Sequence, residues 1–480
     1  MLKKILSVAL ILFTYSAYSQ TSTRVWTLAE CIAYAQEQNL QIQNAQLNVE
    51  SAEIGYSQAK ANLLPNLTSG ASSGMRYGRS IDPTTNLFVD TRVGTINFQA
   101  GSNVILYQGR QLSNNIKQSQ SSLQASQYNL QDSEFNVAVN VASQYLNVLF
   151  AKAQLENAEL QVTITGEQLA RTKRLVAAGA APLANQLDIE AQFASDELGV
   201  VNAENQLAIA RLGLKQSLLL PANEPLEIED PNIDIEQLQF SLSDPEVVYG
   251  ISSATQPSIK AAEMNLMAAE FGVRAARGAH MPTLSVGFNA FTNYSDIRDQ
   301  VFRPDGTFTT VSTPVGYVGS TRELVFRDQQ VPGGEIQTYT PAGQFKDNLS
   351  QSLNLQLSIP IFNRFNVRNN VSRAKIEKQR AEIQTDQAKQ ALRQTIESAY
   401  TDALAASKSY QANTRRLSAL EEAFRAAESR FNQGAANAVD YQVASNNLIR
   451  ARIDLLRAKY ELIFRTKVLD FYMGKPLSLN

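Results

Sequence analysis

The stretch Gly94–Leu106, GTINFQAGSNVIL, alternates residue by residue. Ile96, Phe98, Ala100, Val104 and Leu106 fall on one side, and Asn97, Gln99, Gly101 and Asn103 on the other. A β-strand turns successive side chains to opposite faces, so this reads as a strand with one apolar and one polar face. Leu349–Pro360, LSQSLNLQLSIP, does the same with Leu353, Leu355, Leu357 and Ile359 against Asn354, Gln356 and Ser358. In Leu284–Tyr294, Leu284, Val286, Phe288, Ala290 and Tyr294 share a face. Leu67–Tyr77 alternates more weakly and is rich in Ser and Gly. Four runs of about ten residues have the length and pattern of strands that cross a bilayer. A soluble sheet with one buried face would alternate too, but no other segment reads as free to cover it. Four strands cannot close a barrel, and an open edge is forbidden in lipid. The chain is therefore expected to assemble about an axis. Two copies give eight strands and a filled interior; three give twelve and a lumen.

Working outward, each pair of strands is followed by a long heptad pattern. The first runs Ile116, Leu123, Leu130, Val137, then Val141, Val148, Leu155, Val162, Leu169, Val176. The second runs Leu392, Ile396, Ala403, Tyr410, Leu417, Phe424, Phe431. Steps of seven give way once to a step of four, at Val137–Val141 and again at Leu392–Ile396. Heptads make a left-handed coiled coil, and a four-residue stutter locally unwinds it. A helix over 111–178 rises ~100 Å at ~1.5 Å per residue, which no ordinary globular core requires. Its outward positions are Gln, Asn and Ser as often as charges, which suits a hydrated surface.

The chain reads as two copies of one plan, because self-similarity at a fixed offset marks an internal repeat. Gly179-Ala180-Ala181 recurs as Gly434-Ala435-Ala436, an offset of 255 that also relates Tyr107 to Phe362 and Pro221 to Pro476. Leu64-Pro65-Asn66-Leu67 recurs as Met281-Pro282-Thr283-Leu284 at 217, so the second copy carries about 38 extra residues after Pro282. Each copy is helix, Pro break, two strands, very long helix, Gly turn, helix. Copy one spans about 25–222, copy two about 244–480, and a Pro-rich acidic linker at about 221–245 joins them. The strands fall within 66–106 and 283–360. The loops 78–92 and 295–348 would lie on one side of the membrane, opposite the helices. The longer one, with Pro332-Gly333-Gly334 and several β-prone runs, is expected to form an extracellular hairpin or flap.

Lys3 and Lys4, the apolar run Ile5–Phe13 and Ala17-Tyr18-Ser19 read as a secretory signal over 1–19, leaving a mature chain of 20–480. A signal anchor is the alternative, but the apolar run is too short to span. No later stretch is apolar enough for a membrane helix, so entry into a membrane would use strands. Cleavage removes both lysines and moves the formal charge from −2 to −4. That balance gives nucleic acid no electrostatic purchase. One Cys (Cys31) and one His (His280) leave no disulfide framework and no multi-His metal site. Cys31 reads as a small packed helix residue, and His280 as a helix-end residue before Pro282. The composition opposes a catalyst, and no cofactor is expected.

Over the whole mature chain these features resemble the TolC-type outer membrane efflux family. Leu28, Glu30, Ala35 and Asn39 ahead of Leu63-Leu64-Pro65 look like the family's first helix and its Pro exit into strand one. Gln256-Pro257-Ser258-Ile259 with Pro282-Thr283-Leu284 repeats that signature. The resemblance implies an α+β membrane protein: a homotrimeric 12-stranded β-barrel, four strands per chain, continuous with a long α-helical coiled-coil barrel. It implies the outer membrane of a Gram-negative bacterium, with the helical part in the periplasm. It implies a passive exit duct of a tripartite efflux pump or type I secretion system. A periplasmic adaptor and an inner-membrane transporter of the RND or ABC kind would be its partners. A secreted coiled-coil surface or scaffold protein is the alternative; it would need no alternating strands and no detergent.

The resemblance also places function at the helix tips. Gly179 and Gly434 suit sharp helix reversals, with Pro182 able to open the next helix. By resemblance, Ala178, Gly179 and Ala180, with Gln433, Gly434 and Ala435, line the grooves that receive the adaptor. Simple turn glycines are the alternative. Asp440 matches a family acid that points into the lumen at the constriction, where three copies would favour cations. As an ordinary residue it would be a first-turn helix acid stabilised by the helix dipole. The family's second acid is replaced by Val443. Its latch of Tyr, Arg and Asp is replaced by Phe431, Ala436 and Asn185. An apolar closure by Phe431, Tyr441 and Val443 is the expected substitute. Asp188 is a second candidate acid whose simpler reading is a solvated face.

Overall fold

The computed structural model describes residues 25–81, 86–90, 92–230, 244–436 and 438–477. The expected signal at 1–19 and residues 231–243 of the expected linker lie outside them. The chain divides into two units. One comprises Met1–Gly55, Gln118–Glu270 and Ile376–Asn480; the other comprises Tyr56–Lys117 and Phe271–Lys375.

In chain order the elements are β1 (Val25–Trp26), α1 (Leu28–Gln38), α2 (Leu40–Ala61), β2 (Thr68–Arg76), β3 (Arg79–Ile81), β4 (Phe88–Asp90) and β5 (Val93–Gln108). There follow α3 (Gln111–Ala177), α4 (Leu183–Leu218), β6 (Glu227–Ile228), α5 (Pro245–Thr255) and α6 (Pro257–Gly278). The rest is β7 (Thr283–Ser295), β8 (Gln300–Tyr317), β9 (Leu324–Thr338), α7 (Pro341–Asp347), β10 (Ser350–Ser358), α8 (Asn366–Asn432) and α9 (Ala438–Tyr472). α8 begins and ends 255 residues after α3, the offset read from the sequence. α5 and α6 match α1 and α2 in length. Backbone conformation repeats as well: Gly109 and Arg110 before α3, and Arg364 and Phe365 before α8, all have positive φ.

The sequence reading has one helix before each Pro break; the structure has two. α1 opens with a reciprocal cap. The Glu30 N–H donates to Thr27 Oγ1 at 3.2 Å, and the Thr27 N–H donates to the Glu30 carboxylate at 3.0 Å. Asn39 then leaves the helical region (φ −66°, ψ 125°), and its side-chain oxygen accepts the Gln41 N–H at 2.8 Å, restarting the helix as α2. Gln256 does the same (φ −64°, ψ 126°), because Pro257 excludes helical conformations from the residue before it.

The core of the helical unit gathers Trp26, Cys31, Ile42, Val141, Leu149, Leu214, Leu218 and Ile228. The Tyr145 phenol is buried there. It donates to the Glu229 carbonyl at 2.7 Å, with the Trp26 carbonyl at 3.2 Å. β1 and β6 pair in parallel at this point, so part of the segment read as a linker is a short buried strand. Beyond the core the α8 seam follows the heptad. Ala403, Ala406, Tyr410, Asn413, Leu417, Leu420, Phe424, Ala427 and Phe431 are all buried or half-buried at alternating steps of three and four. Leu392 and Ile396 are both buried across the stutter. Arg416–Asp454 (2.7 Å) and Arg465–Asp402 (2.9 Å) tie α8 to α9. These pairs are half-exposed and contribute modestly, ~0–1 kcal/mol each.

The other unit holds a four-stranded antiparallel sheet in the order β10-β7-β5-β2. Each expected strand is present to within two residues at either end; β5 runs on to Gln108, past the expected limit at 106. Opposed residues in an antiparallel pair share a face. Leu353, Leu355 and Leu357 oppose Phe288, Val286 and Leu284, and Phe98, Ala100 and Val104 continue that apolar face. The other face carries amides: Asn97, Gln99, Asn103, Asn289, Asn354 and Gln356. Asn97 Nδ2 donates to Ser72 Oγ across it at 3.3 Å. Gly109 and Gly278 let two chain segments touch backbone to backbone, since a Cβ on Gly109 would lie 2.3 Å from the Gly278 carbonyl oxygen.

The longer loop of the second copy holds the hairpin β8–β9 and then α7. The end of this loop is anchored on the sheet. Buried Gln344 accepts the Ser295 N–H at 3.0 Å and donates to the Arg298 carbonyl at 2.6 Å. Phe345 meets Phe98 edge-on at 5.1 Å. The hairpin is as expected in kind; the shorter loop also contains one, β3–β4. Among the described residues, no helix is long and apolar enough to cross a membrane.

Candidate functional site at the hairpin tips

The two helix reversals share one backbone design. At the end of α3 the Gly179 N–H donates to the Val176 carbonyl (3.0 Å) and the Ala180 N–H to the Leu175 carbonyl (2.8 Å). At the end of α8 the Gly434 N–H donates to Phe431 (3.0 Å) and the Ala435 N–H to Arg430 (2.8 Å). Each is a Schellman cap with glycine in the left-handed region, φ +70° at Gly179 and +73° at Gly434. A Cβ at either glycine would meet nothing within 4 Å, so conformation and not space demands glycine here. Ala178, Ala180, Gln433 and Ala435 are exposed beside the two glycines. Pro182 departs slightly from expectation: it is the N-cap of α4, in extended conformation, and its carbonyl accepts the Asn185 N–H at 3.1 Å.

The side chains around the two turns differ. At the second, Phe431 stacks on Tyr441 with ring centres 5.1 Å apart and planes at 25°. Phe424, one heptad earlier, lies 5.5 Å from the same ring. Tyr441 is buried, and burial, with the Glu428 charge adding, pushes its phenol up to about 12. It is therefore a neutral hydroxyl at any physiological pH. Asp440, its neighbour, is exposed in the first turn of α9, where a negative charge is favoured by the helix dipole. Val443 is 54 % exposed. Residues two apart on a helix point in nearly opposite directions, so Val443 cannot share the face of Tyr441. The aromatic contact thus runs Phe424–Tyr441–Phe431 inside one hairpin, without Val443.

Farther from its turn, the first hairpin carries a polar network. Asp196 accepts Thr165 Oγ1 at 2.6 Å, Gln192 Nε2 at 2.5 Å and Gln161 Nε2 at 3.4 Å. Gln442 Nε2 donates to Gln192 Oε1, which links α9 to α4 and joins the second hairpin to this network. A cavity of about 250 Å³ opens beside it, lined by Asn157, Gln161, Asp196, Asn202, Ile449 and Arg452. Asn185 is half-buried near the turn, and Asp188 is exposed, as a solvated face requires. Sequence reading missed Asp196. The available signal was its distance from Gly179: Thr165 and Asp196 stand nearly equally far on either side of the turn. Two antiparallel helices bring such positions together.

No group of three His, Cys, Asp or Glu side chains is placed to hold a metal among the described residues. His280 is exposed just past the end of α6, and Cys31 is buried in the core, each as expected.

The model of a family described as outer membrane efflux protein matches residues 31–218 and 248–475, which include both long hairpins and all four sheet strands. Protein CyaE of Bordetella pertussis is 25 % identical over 433 residues, covering 88 % of this chain and 78 % of that protein. Among solved structures, CusC superposes with a TM-score of 0.73 at 19 % identity, covering 96 % of each chain. The outer membrane protein VceC of Vibrio cholerae gives 0.72 at 15 % identity, covering 94 % of this chain and 97 % of that one. The four-stranded sheet, the paired long helices and a family match over most of the length make this chain a member of the outer membrane efflux protein family.

Proposed function

We propose that three copies of this chain form a passive exit duct in the outer membrane of a Gram-negative bacterium. Twelve strands would close the barrel, and the helical hairpins would extend it into the periplasm. The observation that carries this reading is the state of the sheet. Its outer strands β2 and β10 are exposed along their whole length, and each has one unpaired edge. Its apolar face is exposed too: Leu353 is 76 % accessible. Open edges invite further strand pairing, and lipid tolerates none left open. Ring closure with sister chains satisfies both conditions.

The energy for transport would come from an inner-membrane transporter, joined to the duct by a periplasmic adaptor. The adaptor would seat against the tips at Ala178, Gly179 and Ala180 and at Gln433, Gly434 and Ala435, whose exposure leaves them available. The tip would open and close, with a ring of Asp440 carboxylates at its narrowest point. Asn185 would lie beside it, and the stack of Phe431 on buried Tyr441 would stiffen the hairpin behind it. The chain itself would catalyse nothing.

Purification tests this directly. The mature protein should require detergent, have the mass of three chains and conduct ions in a planar bilayer. A soluble monomer would leave the coiled-coil scaffold as the better reading. Asp440→Asn should lower cation preference and relieve block by divalent cations; unchanged selectivity would place Asp440 outside the lumen.

A further inference from the structure

The two ends of the sheet carry different charge. At the end where β2 and β7 begin and β5 and β10 finish, the strands meet the helices through the segments 56–67, 107–117, 271–282 and 359–375. The first two segments contribute Lys60, Arg110 and Lys117, and the third Arg274 and Arg277. The fourth contributes Arg364, Arg368, Arg373 and Lys375. These nine cations, all exposed, are accompanied by no Asp or Glu in any of the four segments. The opposite end mixes signs within its own segments: Arg92 lies 3.6 Å from Asp296, and Arg303 lies 2.8 Å from Asp347. General solubility does not account for such one-sidedness at one rim only.

Two further observations suit a basic rim beside lipid. Its cations sit over aromatic rings: Lys60 is 3.9 Å from the Tyr56 centre, Lys117 5.6 Å from Phe271 and Arg368 5.8 Å from Phe365. The same segments expose large apolar side chains, among them Leu64, Leu67, Met281, Ile361 and Phe362. Exposed apolar side chains with aromatic rings and long basic side chains beside them are the set expected at a bilayer interface. Basic groups at that depth meet headgroups, and anionic headgroups complement them.

We propose that this rim is a collar that binds anionic phospholipid headgroups in the leaflet facing the helices. The proposal rests on the barrel reading above. Each cation near such a surface contributes an attraction equivalent to about a five-fold preference. The collar would fix the depth of the barrel and select phosphatidylglycerol or cardiolipin around it.

The test uses the full mature protein, reconstituted by dialysis into vesicles of phosphatidylethanolamine with one-fifth phosphatidylglycerol. The lipids retained on the re-extracted protein are then weighed by native mass spectrometry. Wild type should retain phosphatidylglycerol at least about five-fold above its bulk share, and lose that enrichment when extracted at about 1 M salt, where screening reaches ~3 Å. A variant with Lys60→Gln, Lys117→Gln, Arg277→Gln and Arg368→Gln should insert as well as wild type but retain lipid near the bulk ratio. Insertion with no phosphatidylglycerol enrichment in wild type, or full enrichment in the variant, overturns the collar alone. Unchanged lipid retention with altered ion selectivity would put these cations in the lumen and also overturn it. Failure to insert into these vesicles or into pure phosphatidylethanolamine overturns the barrel and the collar together.

Discussion

Leu355 and Ile396 are both apolar residues in a regular pattern, yet one is 68 % exposed and the other fully buried. Ile396 belongs to a helical seam that finds its partners inside the chain, among Val248, Ile259 and Leu392. Leu355 belongs to a sheet face over which, among the described residues, the short α7 packs at one end. The edges repeat the contrast. Helices satisfy their backbone hydrogen bonds internally, whereas β2 and β10 each leave one row of donors and acceptors open. The helical unit is thus largely specified by one chain. The sheet is specified for an environment of sister strands and lipid.

Substitutions can break this comparison on either side. The largest effect is expected from proline on both open edges, Ser72→Pro with Gln356→Pro. Proline removes a ladder donor and is excluded from paired strands. No three-chain species should remain on light scattering in detergent, while far-ultraviolet circular dichroism keeps its helical signal. Loss of both signals together would mean that the helices, too, depend on assembly.

Next in size is Ile396→Ala, which leaves a cavity in a closed seam and should cost ~2–5 kcal/mol of helical stability in thermal unfolding. A negligible cost would mean the seam is not packed within the chain. On the sheet, Leu355→Arg should destabilise the assembled barrel by ~2–4 kcal/mol, while Gln356→Arg on the opposite face should cost little. Equal costs would deny that the two faces meet different media. The smallest effect is at a tip. Gly434→Ala should cost ~1–2 kcal/mol, because alanine resists the left-handed conformation although space is open. Faster amide exchange confined to residues around 430–436 would show it, and Gly179→Ala should match it in size because the two caps match.

What could be read from the sequence followed from periodicity. Alternation located the four strands, and the heptads with their single step of four located both long helices and the burial along α8. Features without a period escaped. The break at Asn39 depends on one side chain capping Gln41, with no proline to announce it. The β1–β6 pair is two residues long, too short to alternate, and is recognisable only once Tyr145 is seen bridging to it. The tips divide the same way. Gly179 and Gly434 were legible because an unusual conformation selects one residue type. The Asp196 network depends on the register between α3 and α4, which no single helix encodes. Val443 is exposed and, two positions from Tyr441, points away from it on α9.

Covalent trapping of the strand edges tests the central claim most directly. With Cys31→Ala as background, one cysteine at Ser73 on β2 and a second moved along Ser350–Ser358 on β10 should form disulfides between chains in membranes, at positions where the Cα atoms come within ~4.4–6.8 Å. The account predicts bands at two and three chains on a denaturing gel, with nothing larger. A ladder extending past three, or no interchain product at any position, would contradict it.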